Sequence, residues 1–143
     1  MRIERATPAD LDAVEALLVE AGLPLDGVAE ALATGVVARD EGRVVGAAAL
    51  ERYGDAGLLR SVVMAPDRRG TGLGRQVVAA AEALARAEGI RELYLLTETA
   101  PGWFAHLGFE LVERSVAAAA VGASIEFTTV CRDTGVAMRR TLG

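Results

Sequence analysis

Lysine is absent from this chain of 143 residues, and all fifteen of its basic side chains are arginine. A P-loop nucleotide site is thereby excluded, because its lysine must reach the phosphates. Schiff-base chemistry is excluded for the same reason. Histidine and cysteine occur once each, as His106 and Cys131. A single cysteine rules out an internal disulfide, and the pair is too few to supply the ligands of a structural zinc site, so no metal is expected. A Ser-His-Asp triad would have to be built on His106. No apolar run approaches the ~20 residues of a membrane-spanning helix. The start, Met1-Arg2-Ile3-Glu4-Arg5, lacks the apolar segment and cleavage site of a secretory signal. A cytoplasmic protein is the expectation. The net charge is −5 and the one basic cluster is Arg68-Arg69, so neither nucleic acid nor an anionic membrane surface is an expected partner.

Hydrophobic residues make up 52% of the chain and charged residues 24%, which suits one globular domain spanning residues 1–143. Ile3 to Arg5 reads as a short strand. Thr7-Pro8-Ala9-Asp10 opens a helix, with threonine at the N-cap, proline next and an acid three places on. Leu11, Val14, Leu18 and Ala21 recur at helical spacing until Gly22. Leu23 to Ala33 reads as a loop with a short helix. Asp40-Glu41-Gly42-Arg43, between Val36–Arg39 and Val44–Tyr53, is a hairpin signal. A turn at Gly54 to Gly57 precedes a strand from Leu58 to Met64. A helix follows from Leu73 to Glu88, with Leu73, Val77, Ala80, Ala81 and Leu84 on its buried face. Arg91 to Thr97 and Phe109 to Glu113 read as strands around a short helix, Pro101 to Leu107. Val116 to Phe127 reads as a helix, a candidate substrate lid or homodimer surface, and Val136 to Leu142 as a last strand. The order implies an α/β protein of the α+β type, with a mixed, mostly antiparallel central sheet flanked by helices. Parallel neighbours are expected only across the long helix, between Leu58–Met64 and Arg91–Thr97.

Arg68-Arg69-Gly70-Thr71-Gly72-Leu73-Gly74 lies between that strand and the long helix. A glycine-rich turn opening a helix presents backbone N–H groups and partial positive charge to an anion. A tight strand-to-helix connection is the plainer reading of the same glycines. The spacing is not that of a dinucleotide fingerprint, and the preceding strand belongs to a hairpin.

Val63 to Gly74, with the core Arg69, Gly72 and Gly74, resembles motif A of the Gcn5-related N-acetyltransferases (GNAT). Phe104-Ala105-His106-Leu107-Gly108-Phe109 resembles the segment joining that family's fourth helix and sixth strand. The element order is similar over essentially the whole chain. The resemblance implies acetyl-CoA as cofactor and an amine as acceptor. It implies that Arg69, Gly70, Thr71, Gly72, Leu73 and Gly74, assisted by Arg75, wrap the pyrophosphate. It implies also that Val62, Val63 and Met64 pair with the pantetheine arm, that a β-bulge interrupts this strand, and that Phe104 lines the cofactor channel. Leu59 to Val63, Leu93 to Thr97 and the tail Glu126-Phe127, Cys131 and Ala137 to Arg140 further resemble the arsenic-resistance N-acetyltransferases. Arg132 stands where that subgroup has proline. The subgroup implies a small-molecule amine substrate, an amino acid or a glutamate-like arsenical or phosphinic analogue.

Acetyl transfer needs a proton taken from the acceptor ammonium, and Glu51 and Glu98 are the candidate bases. A solvated strand-end carboxylate is the plainer reading of each. Arg60 is either an outward surface residue or a clamp for a substrate carboxylate. Ser61, Thr97 and Thr99 are candidate substrate hydrogen-bond partners. Phe104 occupies the position of the family's usual tyrosine acid. Transfer to a protein N-terminus or lysine, and a CoA-binding sensor without catalysis, are the alternative functions.

Overall fold

Glu41 and Gly42 fold the chain back between two strands, β2 (Gly35–Asp40) and β3 (Arg43–Tyr53). Both have left-handed backbone, with φ of 51° and 79°. That hand matches the right-handed twist of the flanking strands. The glycine meets it without strain, and the glutamate accepts it because the strands on either side leave no alternative. The computed structural model describes residues 1–124 and 135–143. Glu126, Phe127, Cys131 and Arg132 lie outside the described residues.

Five further strands complete the sheet: β1 (Arg2–Arg5), β4 (Ala56–Met64), β5 (Glu92–Thr97), β6 (Glu110–Val112) and β7 (Val136–Thr141). Hydrogen-bonded neighbours run β1-β2-β3-β4-β5-β7-β6. The β1–β2, β2–β3, β5–β7 and β6–β7 ladders are antiparallel, and β4–β5 is parallel. The parallel ladder joins Ala56, Gly57 and Leu58 to Glu92, Leu93 and Tyr94, whereas β4 itself continues to Met64. The helices are α1 (Leu11–Ala21), α2 (Val28–Leu32), α3 (Leu73–Ala87), α4 (Pro101–His106) and α5 (Arg114–Val121). The mixed, mostly antiparallel sheet expected from the sequence is present.

Contacts divide the chain into two units, Met1–Leu50 with Arg60–Leu84, and Glu51–Leu59 with Ala85–Gly143. In the first, Val14 and Leu18 of α1 and Val28 and Leu32 of α2 pack on Val37, Val44, Ala47 and Val63 of the sheet. In the second, Ala117 and Val121 of α5 pack on Ala56, Leu58, Tyr94 and Ala137. Among the described residues no helix is long and apolar enough to cross a membrane.

One polar cluster is buried in the first unit. Asp10 closes the 3-10 turn that leads into α1, and it is only 5% exposed. Its carboxylate accepts from the Thr7 backbone N–H at 2.9 Å and from both terminal nitrogens of Arg39, at 2.9 and 3.1 Å. Arg39 Nε donates to Glu4 at 2.8 Å. β1, β2 and the start of α1 are thereby tied together.

Most element ends shift by a residue or two from the sequence reading, and three differences have a clear physical reason. β4 begins at Ala56, because Gly54 (φ 67°) and Asp55 suffice for the turn. The α3 stripe buries Leu73, Val77, Val78, Ala81 and Ala85. Ala80 and Leu84 are only half-buried, since they lie on the opposite flank of the row spaced every fourth residue. α5 starts at Arg114, because the Glu113 carbonyl accepts from Val116 and Ala117, at 3.0 and 3.3 Å.

Candidate active site

β4 leads through a 3-10 turn, Pro66–Arg68, into the glycine-rich turn and α3. Gly70 and Gly72 have φ of 76° and 86°. A Cβ built on either meets no atom within 4 Å. Their requirement for glycine is thus one of backbone hand, and the space in front of the turn is open. The first bond of the helix is Gln76 N–H to the Gly72 carbonyl at 3.3 Å. The N–H groups of Leu73, Gly74 and Arg75 therefore precede any intrahelical acceptor and remain for an anion. Thr71 Oγ1 donates to the Arg68 carbonyl and fixes the turn from within.

The charges around this turn divide by partner. Arg68 pairs with Asp40 at 2.8 Å, and Arg69 with Glu20 at 2.7 Å. Both members of the Arg69–Glu20 pair are about half exposed (48% and 47%), so an incoming anion can break it at small cost. Arg75 is exposed in the first turn of α3 and holds no ion pair among the described residues. The positive end of the helix therefore carries one arginine already available and a second easily released.

Upstream, Ser61 has φ of 57° in the middle of β4. A non-glycine residue there is uncommon, and it breaks the pleat as the expected bulge would. Val62 and Met64 beyond it are half-buried and Val63 is buried. Arg60 is 3% exposed, which overturns the outward-facing reading of this residue. Burial was illegible in the sequence because the partner is a backbone carbonyl distant along the chain. Arg60 Nη2 donates to the Asp26 carbonyl, in the loop between α1 and α2, and Nε to Ser61 Oγ at 3.1 Å. A substrate carboxylate would have to share the guanidinium with these partners.

The other candidate residues fall in the second unit. Glu51, on β3, accepts from the Tyr53 hydroxyl. Tyr94 donates likewise to Glu92 at 3.2 Å. The two tyrosines of the chain are thus each engaged with a carboxylate two residues earlier on the same strand face. Tyr53 went unnoticed in the sequence, although the alternation of a strand places residues 51 and 53 together. Thr97, buried at the end of β5, accepts from the Ala100 N–H at 3.1 Å and so shapes the entry to α4. Glu98 and Thr99 are exposed in the bend that follows. Phe104 is buried edge-on between Trp103 and Phe109, with ring centroids 4.9 and 5.8 Å away. His106 is exposed in the last turn of α4.

A family model described as an acetyltransferase (GNAT) domain matches residues 32–111. N-alpha-acetyltransferase 80 of Mus musculus is 44% identical over 73 residues, 49% of this chain and 23% of that protein. An amino-acid acetyltransferase of Ectopseudomonas mendocina (strain ymp) is 40% identical over 84 residues, 56% of this chain and 19% of that protein. The match therefore spans about a fifth of the length of these relatives. Among solved structures, N-acetylglutamate synthase from Neisseria gonorrhoeae, in complex with coenzyme A and N-acetyl-glutamate, superposes with a TM-score of 0.83. It is 21% identical, and the match covers 99% of this chain and 35% of that one. A Mycobacterium tuberculosis protein solved with CoA gives a TM-score of 0.78 at 23% identity, covering 99% of both chains. The glycine turn opening α3, the interrupted β4 and the family match over more than half of its length together establish that this chain belongs to the GNAT acetyltransferase family.

Proposed function

We propose that the chain, acting as one domain over residues 1–143, is a cytoplasmic acetyl-CoA-dependent N-acetyltransferase for the primary amine of a small molecule of the amino-acid class. The observation that carries this reading is the turn from Gly70 to Gly74. Its left-handed glycines, open front, unengaged helix N–H groups and unpaired Arg75 suit a pyrophosphate. In the first unit we assign the pyrophosphate to the backbone of Arg69–Gly74 with Arg75, and the pantetheine amides to the backbone of Val62–Met64. Acetyl-CoA, when bound, supplies the activated thioester acyl group. The N–H of Val62 or Val63 is assigned to the negative charge that develops on the acyl oxygen. Ser61 is assigned to the acceptor.

In the second unit Glu51 and Glu98 are the carboxylates assigned to removal of the ammonium proton, and Thr97 and Thr99 the hydroxyls assigned to the acceptor. Phe104, assigned to the apolar lining of the cofactor channel, has no proton to give. Both tyrosines of the chain are engaged with carboxylates. The leaving thiol, with a pKa of about 8.5, then departs as thiolate or is protonated by solvent. Holding the reactants together supplies much of the rate.

Arg75→Ala is expected to weaken CoA binding about tenfold, the worth of one charge-assisted contact, and to flatten its salt dependence. Calorimetric titration at two salt concentrations measures both.

The similarity to N-alpha-acetyltransferase 80 favours a second reading, transfer to a protein N-terminus. Thiol release from acetyl-CoA, followed with free amino acids, phosphinothricin, a glutamate-like arsenical and N-terminal peptides, separates the two. Turnover confined to the small amines supports the first reading, and turnover confined to the peptides supports the second. CoA binding with no turnover on any amine would identify a sensor.

A further inference from the structure

Arg60 is the most deeply buried arginine named at the candidate site, and its two described donor contacts go to backbone and to its own neighbour. Nη2 reaches the Asp26 carbonyl in the loop that joins α1 to α2, and Nε reaches Ser61 Oγ. Ser61 is one of two non-glycine residues with positive φ among the described residues, and the other, Glu41, sits in a hairpin turn. A serine in mid-strand has no turn to impose that hand. Something else must hold it there, because an L-residue returns to extended backbone when it is free to do so.

We propose that Arg60 is a positioning residue. Its guanidinium pins the α1–α2 loop through Asp26 and locks Ser61 in the left-handed conformation, and so aims the backbone N–H and C=O groups of Val62–Met64. Burial supports the assignment. An arginine 3% exposed is retained only where its donors are satisfied, so Arg60 holds its partners in one arrangement. The consequence for binding rests on the assignment of Val62–Met64 to the pantetheine arm, whereas the lock itself does not.

The test is a pair of substitutions in the full chain, read two ways. Arg60→Met keeps the length of the side chain and removes its donors. Ser61→Gly removes the strain of the left-handed hand, so the kink no longer needs a lock. Amide hydrogen exchange at Val62–Met64, measured without ligand, is expected to quicken about tenfold in R60M, the worth of one lost charge-assisted hydrogen bond, and to slow again in R60M/S61G. CoA affinity, measured by calorimetry, is expected to fall about tenfold in R60M and to recover most of that loss in the double variant. If R60M does not fold, Arg60→Lys, which keeps the charge and lacks the Nε that contacts Ser61, takes its place with the same expected quickening of exchange. A double variant no better than the single one in exchange would overturn the lock, as would a single variant that exchanges like the parent. Failure of the parent protein to bind CoA would instead overturn the proposed function, with the exchange comparison still deciding the role of Arg60.

Discussion

Gly72→Val is expected to reduce CoA affinity about 100-fold while leaving the fold intact. Two terms combine. Gly72 has φ of 86°, and holding an L-residue there costs about 1–2 kcal/mol. The added branched side chain also points into the open space before the turn, where no protein atom lies within 4 Å. The cost inside the free protein is therefore backbone strain alone. A phosphate approaching the N–H groups of Leu73 and Gly74 would meet the new side chain and lose contacts worth about 1.5–3 kcal/mol each. Circular dichroism should report a folded protein and calorimetry the lost affinity. Affinity within threefold of the parent would mean that the ligand does not approach this turn.

Asp10→Ala is expected to cost about 2–3 kcal/mol of stability, below the ~3–5 kcal/mol of a fully buried pair because Arg39 and Glu4 are partly solvated. Asp10 is almost wholly buried, and its loss leaves Arg39 with Glu4 alone. The bonds from Arg39 are the main reason the Asp10 carboxyl lies below its ordinary pKa, with burial opposing and the Thr7 N–H assisting. A carboxylate depressed in the folded state gives its full stabilisation above the unfolded pKa, near ~4, and loses it as the pH falls through the lower folded value. Urea midpoints at pH 7 and across the acid range measure this. The parent should lose stability below about pH 4 more steeply than the variant, which no longer has the group. The Arg43–Asp67 pair makes the contrast. Arg43 likewise lowers the Asp67 carboxyl, but both side chains are more than half exposed, so Asp67→Asn should leave the midpoint nearly unchanged. Equal effects at the two sites would refute the burial argument.

What the sequence disclosed, and what it hid, follows one physical divide. Local chemistry was legible. Gly22 ends α1 with φ of 72°, Asp40 to Arg43 make a hairpin, and the glycines before Leu73 take left-handed backbone. Each rests on residues a few places apart. Arg60 was not legible, because its partner Asp26 lies 34 residues away and offers a carbonyl that no side-chain pattern announces. The division among Arg68, Arg69 and Arg75 was hidden likewise, since Asp40 and Glu20 come from a strand and a helix far upstream. The placement of α3's buried stripe failed by one flank, because the row Leu73, Val77 and Ala81 is bordered by Ala80 and Leu84 on one side and by Val78 on the other, and only packing chooses the side.

The central claim is that the turn opening α3 grips the pyrophosphate of a coenzyme A thioester. Calorimetric titration of the parent protein with CoA and with pantetheine, which shares the thiol arm and lacks the pyrophosphate and nucleotide, tests it most directly. CoA should bind about 100-fold more tightly, the worth of roughly two charge-assisted contacts, and Gly72→Val should abolish most of that difference. Equal affinity for the two ligands, or a difference that Gly72→Val leaves unchanged, would contradict it.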